Sequence, residues 1–557
     1  MSRAVSLSEV GVKRSRIGEV VGHALRGLVR WEPVLFGAMI VLQLVPIWAF
    51  KYLPTTDGAA HVASAEVMRK YDDPELAVFR KYYVLVKKPL PNLAGHLMLE
   101  GLTAVVSPEA AEKVVVSLYM VLLPLGVRYG VRSIRRGATP LAWAAFAMTY
   151  NYLYAQGFYN FVLSCGVFFF VVGYWVRNRD RMDWKRSVVL GVLGGVLYVC
   201  HLFSLAMACG VIGGLCVWFG FWEIRAHAFG VAAKRVVVTG VALLPILVVA
   251  WVYRPSSEWK TDQVFAWNPK DDVLSLLQFG SMISYREKEA WLGGMITTLV
   301  GALTLLALAN KAGRVRRGWS RWDVLLVVPV GLVGVYLRSY DARALHFYIP
   351  QRVMFYAFLM MLLWLAGQPL GRRVRWAVVP IAGAIGLAFT ASHGLKYREF
   401  APQLREFVSA GDRIERNSTF LPLIFSPRGR TADGRVSSID VAPFYMASGY
   451  VAARRDAVDL RNYEGNTDHF PVQFRPELNP YTHLAVGDGL NEVPPKIDIE
   501  GYRRQGGEVD YVMVWGLEDV FRSAEGTRAV YKQLEAGYEK LDVPGARWTE
   551  VWKRKGR

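Results

Sequence analysis

The sequence predicts a polytopic α-helical membrane protein whose transmembrane part is followed by a small α/β domain outside the membrane. Apolar residues make up 53% of its 557 residues. Apolar runs approaching the length of a helical span, about 20 residues, recur up to residue 394. Residues 395–557 are polar, with short β-like apolar runs. This pattern excludes a simple soluble globule and predicts a bundle of spans with an appended domain.

The apolar runs predict about eleven transmembrane helices. Their bounds are 33–53, 113–131, 139–153, 158–176, 187–202, 203–222, 235–253, 291–309, 322–338, 350–369 and 376–393. The segments rich in Lys and Arg all fall on one side if the helices alternate, as expected for cytoplasmic loops. These segments are 132–136, 177–186, 311–321 and 371–375.

The net charge of +20 is explained by those loops. A basic soluble protein would suggest nucleic-acid binding. Here the positive charge flanks spans, so nucleic acid is not expected as a partner. The basic segment 1–30 is predicted to be cytoplasmic, with the first span as an uncleaved anchor. The four cysteines lie in predicted spans and form no CxxC pair, which argues against a disulfide scaffold or a zinc finger.

Residues 54–112 are predicted to form one long external loop with helices lying along the membrane surface. The apolar stretch 92–107 has only about 16 residues, which is short for a crossing. A span at 92–107 remains the alternative, and it would place the later basic loops outside. Residues 254–290 and 339–349 are predicted to be further external loops.

Residues 395–557 follow the last span on the outer side. Helical patterns at 398–409 and 525–538 alternate with β-like runs at 420–425 and 509–516. We therefore predict three parts. They are a cytoplasmic segment 1–30, a transmembrane domain 31–394 and an external α/β domain 395–557.

Asp57 and His61 come shortly after the first span and are spaced i, i+4, which places them on one helix face. A carboxylate facing water at the membrane surface can act as a general base that the histidine orients, and the pair can also hold a divalent metal. A helix N-cap is the alternative for Asp57. Capping leaves His61 unexplained.

His201 lies between two apolar runs near the outer face. An ionisable residue at membrane depth is a functional candidate. Together with Asp57 and His61 it would form a His₂Asp site for a divalent metal. A histidine satisfied by a neighbouring carbonyl is the alternative.

Two sets of outward cations are candidates for binding a phosphate. Lys87 and Lys88 lie on the side where the positive-inside rule does not require positive charge, although snorkelling at the interface explains them as well. Arg343 and Arg352 belong to a basic cluster at a helix entrance. His346, in the same cluster, is a candidate for substrate binding.

Tyr159 and Asn160 lie in an aromatic segment, 149–161, at an external turn. Tyrosines there are typical of an interfacial belt. Asn160 is harder to explain as part of a belt, and an amide can hydrogen-bond a sugar. We therefore include both residues as substrate-binding candidates, with a role in the turn as the alternative.

The order of these parts resembles the GT-C superfamily of integral-membrane glycosyltransferases. The segments that carry the resemblance are DGAAH (57–61), KP (88–89), LPNLAGHLM (90–98), GFYNFVLS (157–164) and CHLF (200–203). They are similar to uncharacterised bacterial polytopic proteins that we place with GT-C. In the family an acidic residue follows the first span, as Asp57 does. In the branch with aminoarabinose and mannose transferases a Lys-Pro pair follows in the same loop, as at Lys88.

The resemblance implies an inverting glycosyltransferase of the bacterial cytoplasmic membrane that uses a polyprenyl-phosphate sugar at the outer face. Asp57 would deprotonate the acceptor hydroxyl, while Lys88 and Arg352 would bind the donor phosphate. The external domain would help to bind the acceptor, which is a glycan, a lipid or a protein.

One position departs from the family pattern. GT-C members usually carry a second carboxylate directly after the first, whereas Gly58 follows Asp57 here. If the chemistry is kept, Glu66, Asp72 or Asp73 would have to supply the missing group.

Two further interpretations remain open at this point. A transporter or scaffold for lipid-linked glycans or polymers should place ionisable residues near the bilayer midplane, on broken helices. A metal-dependent hydrolase would use Asp57, His61 and His201 on another substrate.

Overall fold

The computed structural model describes residues 7–253, 269–312, 320–338 and 348–556, apart from residues 432 and 488. Within this part of the chain, eight helices are long and apolar enough to cross a membrane. They are Arg26–Ala49 (the end of the helix Leu7–Ala49), Pro108–Ile134, Tyr159–Asn178, Leu202–Arg225, Phe229–Val252, Glu289–Ala312, Ile349–Ala366 and Arg372–Arg413. The prediction of a polytopic helical membrane protein is confirmed.

The three other predicted spans form shorter helical elements. Predicted span 139–153 coincides with a buried 3₁₀ helix, Arg136–Met148, which packs between the helices Pro108–Ile134 and Arg372–Ala410. Predicted span 187–202 is the helix Trp184–Cys200. Predicted span 322–338 is a 3₁₀ turn, Asp323–Leu326, continued by the helix Val327–Arg338. Hydropathy located these elements, and within the described residues each is shorter than the eight helices above.

The helices of the first loop, which was predicted to be external, are short: Gly58–Lys70, Ala77–Tyr82 and Ala94–Thr103. The last has ten residues and rises about 15 Å, half the thickness of a hydrocarbon core. It buries His96 and exposes Leu97, with Val105 exposed just beyond its end. This arrangement fits a helix lying at the interface and not the alternative of a span at 92–107.

The remaining helices and 3₁₀ turns lie in loops or in the C-terminal part. They are Tyr152–Ala155, Pro269–Leu277, Gly280–Met282, Gly411–Arg413, Ser448–Arg455, Tyr463–Asn466, Pro476–Leu478, Pro480–His483, Ile499–Arg504, Asp519–Arg522 and Glu525–Gly537.

The C-terminal part contains a mixed five-stranded sheet, which accounts for the predicted α/β character. In the described part of the chain, the strands of this sheet are β2 (Thr419–Ile424), β3 (Val458–Asp459), β5 (Tyr511–Trp515), β6 (Tyr538–Leu541) and β7 (Thr549–Arg554), and a separate two-stranded sheet is formed by β1 (Tyr83–Leu85) and β4 (Val472–Phe474). The sheet has the order β3-β2-β5-β7-β6, with β2 parallel to β3 and β5, and β7 antiparallel to β5 and β6.

Alternating residues of β2 join two different hydrophobic cores. Phe420 and Ile424 belong to the core that continues into the spans. Leu421 and Leu423 belong to a second core, which also contains residues of the helices Ala77–Tyr82 and Glu525–Gly537. The sheet therefore packs directly on the transmembrane bundle.

The first loop and the C-terminal part fold together. Strand β1 of the loop pairs antiparallel with β4, with Tyr83 opposite Phe474. Gly449 approaches the backbone of Ala59 so closely that a Cβ would not fit. The helix Arg372–Ala410 also runs through the predicted boundary at 394/395. The boundaries at 30/31 and 394/395 stay predictions, but the loop and the C-terminal part form one continuous layer at the same end of the spans.

Candidate functional site

A cavity of about 410 Å³ lies where the ends of the spans meet this layer. The first loop contributes Asp57, His61 and Asn92; the ends of helices contribute Phe158, Tyr159, Asn160, Phe161, His201, Tyr348 and Arg352; and the C-terminal part contributes Tyr445, Tyr463, Thr467, His469, Phe470 and Asn491. Polar and ionisable groups from all three parts therefore converge on one hollow with aromatic walls.

A backbone hydrogen bond holds Asp57 in place, and its side chain lines the cavity. Its N–H donates to the Gln156 carbonyl over 3.0 Å, so the loop runs beside the turn before the helix Tyr159–Asn178. Asp57 occupies the N-cap position of the helix Gly58–Lys70, yet its side chain makes no capping hydrogen bond. Instead Asp57 lines the cavity together with Tyr463, whose hydroxyl acts to lower the pKa of the carboxyl group. The position agrees with a cap, but the side chain does not act as one.

The residue after Asp57 cannot carry a second carboxylate. A Cβ on Gly58 would overlap the Glu112 carboxylate, the Tyr159 hydroxyl and the Thr55 hydroxyl. Gly157 has φ +86°, and a Cβ there would lie 2.7 Å from the Gly58 nitrogen. Two glycines thus allow the loop and the turn to touch, which gives a physical reason for the departure from the GT-C pattern.

A buried hydrogen-bond network lies directly behind Gly58. The Glu112 carboxylate accepts hydrogen bonds from the Tyr159 and Tyr450 hydroxyls, both over 2.6 Å. The Tyr159 hydroxyl also contacts the Thr55 hydroxyl over 3.1 Å. Glu112 therefore connects two spans, the loop and the C-terminal part, and it sets the position of the Tyr159 ring in the cavity wall.

His61 contacts a carboxylate from the far end of the chain. Its Nδ1 pairs with Glu464 Oε1, and its Nε2 donates to the Gly157 carbonyl over 2.9 Å. The other oxygen of Glu464 lies 3.0 Å from His96 Nε2. The group His61, His96 and Glu464, called the buried triad below, is 5%, 0% and 0% exposed.

Glu464, in the C-terminal part, is a carboxylate whose charge acts on Asp57. Glu66 is paired with Arg69 and Lys70 at 2.6 and 2.8 Å, and the described cavity wall includes neither it nor Asp72 nor Asp73. These three residues do not fill the missing position.

The surroundings shift the pKa values of the Asp57 and Glu464 carboxyl groups in opposite directions. Burial raises the pKa of Asp57 to about 7; the Glu464 charge adds to this, while His61 and the Tyr463 hydrogen bond oppose it. Burial acts to raise the pKa of Glu464 as well, but the charges of His96 and His61 hold it well below its usual range. Burial by itself lowers the pKa of His61, and Glu464 outweighs that effect and raises it overall. Asp57 is therefore the carboxylate that can exchange a proton near neutral pH.

Arg352 brings a cation to the opposite wall of the cavity. Its guanidinium lies 5.1 Å from the ring centroids of both Phe158 and Phe161. Its Nε is buried without a hydrogen-bond partner. Within the described ranges no carboxylate lies at ion-pair distance from it. Such a group is suited to bind an anion from the cavity.

His201 lines the same cavity but lies outside the buried triad. Its Nδ1 accepts a hydrogen bond from the Phe203 N–H over 3.2 Å, which caps the helix Leu202–Arg225. Burial lowers its pKa well below the usual value, and Arg352 and His469 lower it further. The predicted metal set of Asp57, His61 and His201 is not brought together as ligands; His61 groups with His96 and Glu464 instead.

The other predicted site residues have varied positions. Lys87 and Lys88 are exposed, and the described wall of the cavity does not include them. Asn160 accepts from the Gly95 N–H over 2.5 Å and donates to the Asn92 carbonyl over 2.8 Å, so it positions the interfacial helix. The predictions for Arg343 and His346 fall outside the described residues.

Sequence reasoning missed Glu464, His96 and Tyr463. The polar segment 461–470, RNYEGNTDHF, stood out among the β-like runs and contains two of them. Nothing in the sequence alone shows that this segment packs near Asp57, which is about 400 positions away. His96 was visible in the loop, but its contact with Glu464 joins residues 368 positions apart.

Comparison with solved structures finds the crystal structure of ArnT from Cupriavidus metallidurans in the apo state, a GT-C glycosyltransferase. The match covers 94% of this chain and 98% of that chain, with 12% identity and a TM-score of 0.37. At this score the likeness carries no argument. No family model and no curated protein matches the chain.

Proposed function

We propose that the protein is a GT-C-type glycosyltransferase that moves a sugar from a polyprenyl-phosphate donor to an acceptor at the outer face of the bacterial cytoplasmic membrane. The observation that carries the proposal is the cavity whose wall includes both Asp57 and Arg352, an arginine with no carboxylate at ion-pair distance among the described residues. One group is suited to take up a proton and the other to hold a phosphate.

The reaction proceeds as a single displacement. An acceptor hydroxyl attacks the anomeric carbon of the sugar, and Asp57 takes up the hydroxyl proton. The bond between the anomeric carbon and the phosphate oxygen breaks, and the anomeric configuration inverts. The leaving polyprenyl phosphate gains negative charge, which Arg352 stabilises in a partly water-excluded site.

The position of the cavity supports the lipid-linked donor. Asp57 follows the first span by a short segment, and Arg352 lies in the first turn of the helix Ile349–Ala366. A phosphate held there can keep its prenyl chain in the bilayer while the sugar lies among the aromatic residues of the cavity wall.

The position of the cavity also argues against a transporter or scaffold for lipid-linked glycans. A transporter for lipid-linked glycans should carry its ionisable groups near the bilayer midplane. The charged residues of this cavity lie at the ends of spans and in the layer beyond them. We therefore favour surface chemistry over transport.

The test uses the full chain purified in lipid nanodiscs with a panel of radiolabelled polyprenyl-phosphate sugars. The Asp57→Asn variant should lose transfer by at least about a hundredfold, the lower range for removing a general base. Asp73→Asn changes a carboxylate of the same loop outside the cavity wall, and it should transfer like the wild type. Equal transfer by Asp57→Asn and the wild type, or none by the wild type with any donor, contradicts the proposal.

A further inference from the structure

We propose that the buried triad binds one divalent cation of the zinc type. The donor atoms of His61, His96 and Glu464 all lie within 4.8 Å of one another, close enough to surround a single ion after small side-chain adjustments. Two imidazoles and one carboxylate, with a fourth position left open, are a ligand set that Zn²⁺ uses in proteins. The inference does not depend on glycosyl transfer.

Three separate segments build the site, and each holds its ligand from a rigid element. His61 lies on the helix Gly58–Lys70, His96 on the helix Ala94–Thr103 and Glu464 in the 3₁₀ turn Tyr463–Asn466. Asn462 fixes that turn, because its side chain accepts from the Glu464 N–H over 3.1 Å and donates to the Ser64 hydroxyl over 3.3 Å. The ligands therefore do not depend on a mobile loop.

The hydrogen bonds of His61 agree with metal binding. The Nε2 of His61 donates to the Gly157 carbonyl over 2.9 Å, which orients Nδ1 toward Glu464. A histidine that binds a metal through one nitrogen usually donates the other N–H to a carbonyl or carboxylate in this way. His96 has no such partner for Nδ1 among the described residues, so packing against the His61 and Phe470 rings, at 5.0 and 5.5 Å, holds it.

The charge balance also favours a cation. Glu464 is fully buried, and Asp57 brings a second carboxylate to the same region. No described lysine or arginine forms an ion pair with Glu464; its recorded ion-pair partners are the two imidazoles. A dication bound by two neutral imidazoles would compensate both carboxylates in place of the protons on the imidazoles.

A bound cation would join the first loop to the C-terminal part directly beside the cavity wall. His61 belongs to the cavity wall, so the open coordination position can take water or an oxygen of a bound ligand. Imidazole ligands favour Zn²⁺ or Co²⁺ over Mg²⁺.

The experiment measures the metal directly and needs no turnover. The full chain is purified in detergent, treated with a chelator and supplied with Co²⁺, Zn²⁺ or Mg²⁺. Elemental analysis should find one Zn²⁺ or Co²⁺ per chain and no retained Mg²⁺. The Co²⁺ form should show the visible absorption of a four-coordinate ion.

Two ligand variants and one control decide the assignment. His96→Gln and Glu464→Gln should bind Zn²⁺ at least about tenfold more weakly. His469→Gln removes a histidine that lines the same cavity outside the triad, and it should bind like the wild type. Zn²⁺ should also raise the unfolding temperature of the wild type and of His469→Gln, but not of the ligand variants.

Either of two results overturns the inference. The first is a wild type that retains no Zn²⁺ or Co²⁺ above the level of a chelator-washed control. The second is binding of the same affinity and spectrum in folded Glu464→Gln. If the ligand variants do not fold, the wild-type stoichiometry and the Co²⁺ spectrum decide. Failed metal binding leaves the transfer assay unaffected, so the two proposals fail separately.

Discussion

Glu464, from the C-terminal part, pairs through Oε1 with Nδ1 of His61, from the first helix after the first span. The contact joins residues 403 positions apart and is buried. The cavity therefore needs the C-terminal part as well as the spans, and the domain is a component of the site and not an appendage.

Replacing Gly58 by alanine should disrupt the site locally. The added methyl group would overlap the Glu112 carboxylate and the Tyr159 hydroxyl. We expect destabilisation of about 1–3 kcal/mol, typical of overpacking, and a clear loss of transfer. Thermal unfolding in detergent measures the first effect, and the transfer assay measures the second.

Gly101→Ala is the control for that variant. Gly101 is also a helical glycine of the first loop, but a Cβ there meets nothing within 4 Å. This variant should be as stable as the wild type or slightly more stable. Equal behaviour of Gly58→Ala and Gly101→Ala would argue against the close contact behind Asp57.

Arg352→Gln should weaken the binding of polyprenyl phosphate itself, without any sugar. A charge-assisted hydrogen bond to an anion contributes about 1.5–3 kcal/mol, so affinity should fall roughly tenfold to a hundredfold. Native mass spectrometry or a fluorescent prenyl-phosphate titration measures the change. Arg435→Gln alters an arginine whose side chain is 81% exposed and should have no effect. Unchanged affinity in Arg352→Gln would remove this residue from phosphate binding.

The stability of the protein should depend on pH through Asp459. Burial raises the pKa of Asp459 to about 6, although the Ser448 hydrogen bond and Arg461 oppose this. A raised carboxyl pKa favours the folded state below the unfolded value, 3.8, and the advantage is lost as the pH rises through about 6. The difference corresponds to about 3 kcal/mol at most.

Thermal unfolding of Asp459→Asn against the wild type isolates this effect. The wild type should gain stability relative to the variant as the pH falls from about 7.5 to about 4.5. Asp519→Asn, at a fully exposed side chain, should follow the wild-type pH profile. A constant difference between the wild type and Asp459→Asn across this range would contradict the prediction.

The proposed orientation predicts which single cysteines an impermeant maleimide reaches in intact cells. Asp73→Cys and Asp519→Cys lie in the layer that contains the cavity and should react. Lys185→Cys lies in the basic segment 177–186, in the first turn of the helix Trp184–Cys200, and should react only after permeabilisation. The unmodified chain, whose four cysteines are buried or half-buried, gives the background. The reverse labelling pattern would place the cavity on the cytosolic face.

Much of the architecture follows from local pattern. Each of the eleven apolar runs coincides with helical structure, because a bilayer requires long apolar helices whatever the tertiary fold. The position of Asp57 after the first span, and of Arg352 at a helix entrance, could also be read from the sequence. The structure brings both of them, with His61, Tyr159, Asn160 and His201, to the cavity wall.

The remaining parts of the site depend on contacts between distant segments. Glu464 reaches His61 only because β1 of the loop pairs with β4 of the C-terminal part. The short 3₁₀ helix Arg136–Met148 has the composition of a span but fills a gap between helices. Lys87 and Lys88 carry the expected charge, yet the local chain directs them to solvent. Residue types and spacing do not encode these outcomes.

The central claim, that the cavity is the donor site, is tested most directly with a photoreactive polyprenyl-phosphate sugar. After irradiation of the full chain in nanodiscs, mass spectrometry should find the label on peptides 157–161 and 463–470. Arg352→Gln and excess polyprenyl phosphate should both suppress it. Labelling confined to the lipid-facing helix Trp184–Cys200, unchanged by Arg352→Gln or by competitor, would contradict the account.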